Sequence, residues 1–119
     1  MAELATLMLA NLVEVFGERD GDRRRAAIAR VHHPQVVFTD HDGEASGHAA
    51  LDEAVARLHA RLAPDFEFAP AGDVDLIGDL GYLAWQLGAP GQPPVVRGAD
   101  IAFARDGRIG RLYVVLTGP

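Results

Sequence analysis

The chain has 119 residues, a length that fits one domain able to bury about two-thirds of its unfolded surface. A formal net charge of −6, with no lysine among its 11 basic residues, argues against a nucleic-acid-binding surface, which needs clustered cations. The absence of cysteine excludes disulfides and thiolate chemistry and removes the commonest zinc ligand, and a hydrophobic content of 49% excludes a disordered chain.

In chain order, Leu4, Leu7, Met8, Asn11, Leu12 and Val15 recur at helical spacing and predict a first helix from residue 3 to about residue 16, ended by Gly17. Asn11 is the polar member of that stripe and a candidate to reach a pocket. The segment carries Glu3 and Glu14 and no basic flank, so it reads as a poor signal peptide and is too short to span a bilayer. A soluble cytoplasmic protein with no membrane partner is expected. Asp20 or Asp22 caps a second helix from Arg23 to His32, with Ala27, Ile28 and Val31 as its buried stripe, and Pro34 prevents its continuation. Arg23, Arg24 and Arg25 are balanced by Asp20 and Asp22 and read as a solvated helix face.

Val36 to Asp40 is a strand with Phe38 and Asp40 on one face, followed by a loop, HDGEASG, that turns at Asp42-Gly43. A third helix from His48 to Leu62 has Leu51, Ala54, Val55, Leu58 and Leu62 as its apolar stripe. Three strands are then predicted, at 66–69, 74–77 and 82–88. The last stretch, Val95 to Leu116, is a long hairpin turning at Asp106-Gly107. On its first strand Asp100 shares a face with Ala102 and Ala104, while Ile101 and Phe103 point the other way. On its second strand Leu112, Val114 and Leu116 share a face. A carboxyl group on a face of small residues covers a cavity or a ligand more naturally than it fills a core; pairing of Asp100 with Arg97 is the structural alternative.

Helices mostly first and strands mostly after make an α+β pattern. Three helices closing the concave face of a curved antiparallel sheet leave a cavity for a small molecule. They leave the convex face, with Ile101 and Phe103, exposed or covered by a partner, and a homodimer through that face is expected. Asp40 and Asp100 reach the cavity from different strands. Burial and mutual repulsion separate the proton affinities of two such carboxyls, as an acid/base pair requires. Phe38, Trp85 and Leu112 are candidate walls, and Asn11, His32 or Gln86 candidate donors to a developing oxyanion. Of the five histidines only His32 is kept as a site candidate; the others read as surface or capping residues, and neither a metal nor a cofactor is expected.

Three local patterns resemble the nuclear transport factor 2-like superfamily and, within it, the SnoaL-like branch. They are the stretch from Asp20 through Pro34 to VVFTD at residues 36–40; Ser46-Gly47 followed by an amphipathic helix and PDFEF; and Trp85 followed by Gly98-Ala99-Asp100 and Asp106-Gly107-Arg108-Ile109. The resemblance covers nearly the whole chain. It implies a cone built from a curved antiparallel sheet with three helices in the N-terminal half. It places Asp40 where the ketosteroid isomerase branch has its general base. Asp100 stands where that branch has its protonated oxyanion donor, and where polyketide cyclases have their acid/base aspartate. Leu12 stands near the position of the isomerases' first-helix tyrosine. The implied function is an isomerase, cyclase or lyase acting on a small apolar carbonyl or hydroxyl compound. A non-catalytic small-molecule binder and a dimeric interaction domain remain open alternatives on the same fold.

Overall fold

The computed structural model describes residues 3–118. The first apolar stripe forms α1 (Leu4–Ala10), which runs directly into a wider π-helical stretch over Asn11–Phe16. The wider turn keeps Asn11, Leu12, Val15 and Phe16 all buried on the side facing the sheet. Of the two possible caps for α2 (Gly21–Val31), it is Asp20 whose side chain accepts from the backbone N–H groups of Asp22 and Arg23. α3 (His48–Arg61) follows the third stripe and buries Leu51 and Val55. Among the described residues no helix is long and apolar enough to cross a membrane.

Among the described residues seven strands form one curved, open sheet: β1 (His32–Asp40), β2 (Gly43–Ser46), β3 (Glu67–Pro70), β4 (Asp75–Ile77), β5 (Leu80–Gly88), β6 (Val96–Arg105) and β7 (Arg108–Gly118). Their order is β2-β1-β7-β6-β5-β3, with β4 also paired to β5. The long hairpin β6–β7 turns at Asp106 and Gly107, both at positive φ (52° and 77°), as a two-residue turn that matches the strand twist requires. The α+β architecture is thus the expected one, with the helices packed on the concave side of the sheet.

Four local expectations are corrected. The sheet is not purely antiparallel, because β1 runs parallel to β7. β1 starts at His32, not Val36; its pairing shifts register between His32 and Val37, where Pro34 has no N–H to give to a ladder. The predicted loop after β1 contains β2, which pairs back onto the end of β1 and whose exposed polar residues hide any strand period. The arginine face of α2 is not all solvated. Arg24 is buried, its Nε 2.6 Å from Asp52 Oδ1, so that it ties α2 to α3.

Candidate functional site

The register of β5 on β6 sets Trp85 opposite Gly98 and Leu83 opposite Asp100, so Trp85 and Asp100 are diagonal neighbours on the concave face. Gly98 leaves the room that the indole occupies. Trp85 Nε1 then donates to Asp100 Oδ1 at 2.8 Å. Asp100 is only 3% exposed. Burial pushes its carboxyl up from an ordinary 3.8 to about 7, against the opposing pull of the Trp85 donor and, after it, of the Asn11 amide. The alternative partner Arg97 points from the other face and is exposed.

Behind Asp100 lies a second buried polar pair. His32 Nε2 and Asn11 Oδ1 are 2.7 Å apart, and both residues are almost fully buried. Burial first, and the nearby His48 second, lower the His32 pKa from 6.5 to about 3, so its ring is neutral. Among the described residues His32 Nδ1 has no partner. A proton there would be an orphaned buried donor, so the proton belongs on Nε2, which donates to Asn11 Oδ1. That bond fixes the Asn11 amide with its NH2 group turned towards the Asp100 carboxyl. The NH2 group lies close enough to favour the charged carboxylate, yet no hydrogen bond of full geometry forms.

Asp100 lies at the inner end of a cavity of about 450 Å³. Its deep wall is a run of edge-to-face aromatic rings. Phe38 meets Phe16 at 5.7 Å between centroids, Phe16 meets Phe68 at 6.3 Å, and Phe68 meets Trp85 at 5.3 Å. Ala54 and Leu58 of α3 and Leu62 just past its end also line the cavity, with Arg57 and Arg61 beside them, as do Asp40, His41, Asp42 and Glu44 around the β1–β2 turn.

The two aspartates predicted to meet therefore line one cavity, Asp100 buried within it and Asp40 half-buried on the β1–β2 side. Asp40 Oδ1 accepts the Asp42 N–H at 2.8 Å, which shapes the turn. Phe38 and Trp85 also line the cavity. Leu112, Asn11 and His32 are fully or almost fully buried and do not line the cavity. Leu112 belongs to the hydrophobic core, and His32 Nε2 is turned to Asn11 Oδ1. Gln86 follows Trp85 on the strand and so points to the opposite face. Phe16, Phe68, Arg57 and Arg61 are not singled out by the sequence, although Phe16 is the last residue of the predicted first helix and Phe66-Glu67-Phe68 alternates as a strand should.

The ligand atoms of Asp40, His41 and Asp42 come within 4.8 Å of one another, the geometry a cation could use. His41 and Asp42 are exposed, and one Asp40 oxygen is committed to the turn, so these residues act first as a solvated tight turn.

The family model for a SnoaL-like domain matches residues 9–112 of the sequence. Among solved structures, a candidate isomerase of the SnoaL-like family from Agrobacterium tumefaciens superposes with a TM-score of 0.86 at 23% identity, over 95% of this chain and 96% of that one. A candidate polyketide cyclase from Sinorhizobium meliloti gives 0.67 at 20% identity, over 92% and 93% of the two chains. A candidate ketosteroid isomerase from Kribbella flavida gives 0.70 at 12% identity, over 98% and 78%. At these identities the likeness is one of fold. A search of curated proteins found no match.

Proposed function

The chain belongs to the SnoaL-like family, and from that membership we propose that it is an acid/base catalyst acting on a small, largely apolar carbonyl or hydroxyl compound, with Asp100 as its central proton-transfer group. The observation that carries this reading is a carboxyl group buried on an apolar cavity with its pKa at about 7, so that both protonation states are populated near neutral pH. Asp40 is the second group. As base it takes a proton from the carbon next to a carbonyl; the electron pair moves to the carbonyl oxygen, and neutral Asp100 gives that oxygen its proton. Asp40 then returns its proton to a different carbon while the Asp100 carboxylate takes back the enol proton, which completes an isomerisation; alternatively the enol carbon attacks a second carbonyl, whose oxygen takes the proton from Asp40 as the enol proton returns to Asp100, which completes a ring closure. The aromatic walls exclude water and hold the substrate's apolar body.

Carboxyl-carbon NMR tests this directly. Asp100 is expected to titrate at about 7, and the protein is expected to speed solvent deuterium exchange beside the carbonyl of an apolar cyclic ketone, an effect lost in Asp100→Asn. An ordinary Asp100 value, together with exchange indifferent to Asp100→Asn, would leave a non-catalytic binding pocket.

The same reading includes a homodimer through the convex face. Tyr82, Ile101 and Tyr113 are register partners across β5, β6 and β7, and Phe103 packs edge-on against Tyr113. Tyr82 and Val115 are 39% and 45% exposed there. Sedimentation is expected to give twice the chain mass for the wild type and a monomer for Ile101→Asp. A wild-type monomer at high concentration would sink the dimer.

A further inference from the structure

The charges around the cavity are not distributed evenly. Ala54 and Leu58 of α3, with Leu62 just past its end, give the cavity an apolar strip, and Arg57 and Arg61 flank that strip one helical turn apart on α3. Both arginines line the cavity and both are exposed. Among the described residues neither has an ion-pair partner, whereas Arg24, Arg25 and Arg30 are each held by a carboxylate. Elsewhere on the lining, the acidic groups of the β1–β2 turn have their own local partners. Asp40 accepts the Asp42 N–H, His41 lies 3.5 Å from Asp42, and Glu44 accepts from the Thr39 hydroxyl at 3.3 Å. Two uncommitted guanidinium groups at the edge of an apolar cavity are forks for a planar anion. Asp40, Asp42 and Glu44 on the same lining repel a doubly charged head such as a phosphate more than a singly charged one. The interior selects against charge altogether, because Asp100 sits there in an environment that disfavours its own ionised form.

We propose that the cavity takes an amphiphilic monocarboxylate, its carboxylate held by Arg57 and Arg61 and its neutral reacting end placed against Asp100. This assignment rests on the acid/base reading of the cavity and adds to it the class of substrate: a carboxylic acid whose reactive carbonyl or hydroxyl lies at the end remote from the acid. The carboxylate supplies orientation, since only one end of the molecule can enter without leaving its charge in the apolar interior.

The chain's single tryptophan, Trp85, lines the cavity and reports on its occupancy. Decanoate and its neutral counterpart decanol are titrated into the whole protein at neutral pH, followed by Trp85 fluorescence and by calorimetry. Decanoate is expected to bind on the order of tenfold tighter than decanol, with a margin that shrinks as salt is added. The double variant Arg57→Gln, Arg61→Gln changes two exposed residues. It is expected to abolish the margin by weakening decanoate far more than decanol. Equal binding of the two probes to the wild type, or a margin that survives the double substitution, overturns the carboxylate assignment and leaves the acid/base reading standing. If neither probe binds, the cavity takes no apolar ligand, and the two readings fall together.

Discussion

Replacing Asp100 with Asn is expected to stabilise the fold at neutral and alkaline pH by up to about 4 kcal/mol and to leave it nearly unchanged in acid. The folded carboxyl binds its proton up to about pH 7, while the unfolded one releases it near 3.8. Between those two values the unfolded state holds fewer protons than the folded one, so wild-type stability falls as pH rises through the window and levels off above it. Asn carries no charge to bury and keeps an oxygen for the Trp85 N–H. The difference between variant and wild type should therefore be flat below pH ~4, rise by about 1.4 kcal/mol per pH unit, and be flat again above pH ~7. Denaturant unfolding of both proteins across that range measures it. A difference curve without slope would mean that Asp100 ionises in the folded protein as freely as in water. The wild-type curve alone would hide the effect, because His32 acts in the opposite sense. Its folded pKa is depressed from 6.5 to about 3, so its contribution is complete above 6.5 and is lost as pH falls towards 3. Between about pH 4 and pH 6.5 the two slopes oppose each other, and only the difference from the variant exposes Asp100. A residue that weakens the fold at neutral pH while sitting on a cavity is what a proton-transfer site requires.

The features readable from sequence were those written in local period. Three helical stripes, the Asp106-Gly107 turn and the alternation that puts Asp100 on the Ala102 face need only neighbouring residues to define them, and the structure keeps all of them. The convergence of Phe38, Asp40, Trp85 and Asp100 on one cavity was also accessible, because each lies on a predictable face of a predictable strand. What stayed hidden was settled by distant partners. β2 exists because β1 offers it an edge, and its own four residues carry no strand period. Arg24 looks like any surface arginine until α3 brings Asp52 to it. Asn11 stood out as polar in an apolar stripe, but its partner His32 is 21 positions away on another element. The expected role as a donor inside the pocket gave way to one a layer behind it.

Gly98→Ala is expected to disturb the site through packing alone. Gly98 lies in β6 where the pairing to β7 shifts register, yet it is not among the glycines at positive φ, so it is there for space and not for conformation. A Cβ at this position would overlap the benzo edge of the Trp85 indole and lie 2.7 Å from the Val115 carbonyl oxygen. Neither neighbour is the free end of a flexible chain: the indole is wedged against Phe68, and the carbonyl belongs to β7. Overpacking of this kind costs about 1–3 kcal/mol. The indole is the side able to move, and moving it breaks the bond from Nε1 to Asp100. That bond is the first of the two influences favouring the ionised carboxyl, so its loss should drive the Asp100 pKa above its wild-type value and shift any pH–rate profile in the same direction. Thermal unfolding and the carboxyl-carbon titration of Gly98→Ala separate the two effects. A loss of stability with an unmoved Asp100 pKa would mean that β7 yields instead of Trp85, and that the indole is not what holds this carboxyl within reach of neutral pH.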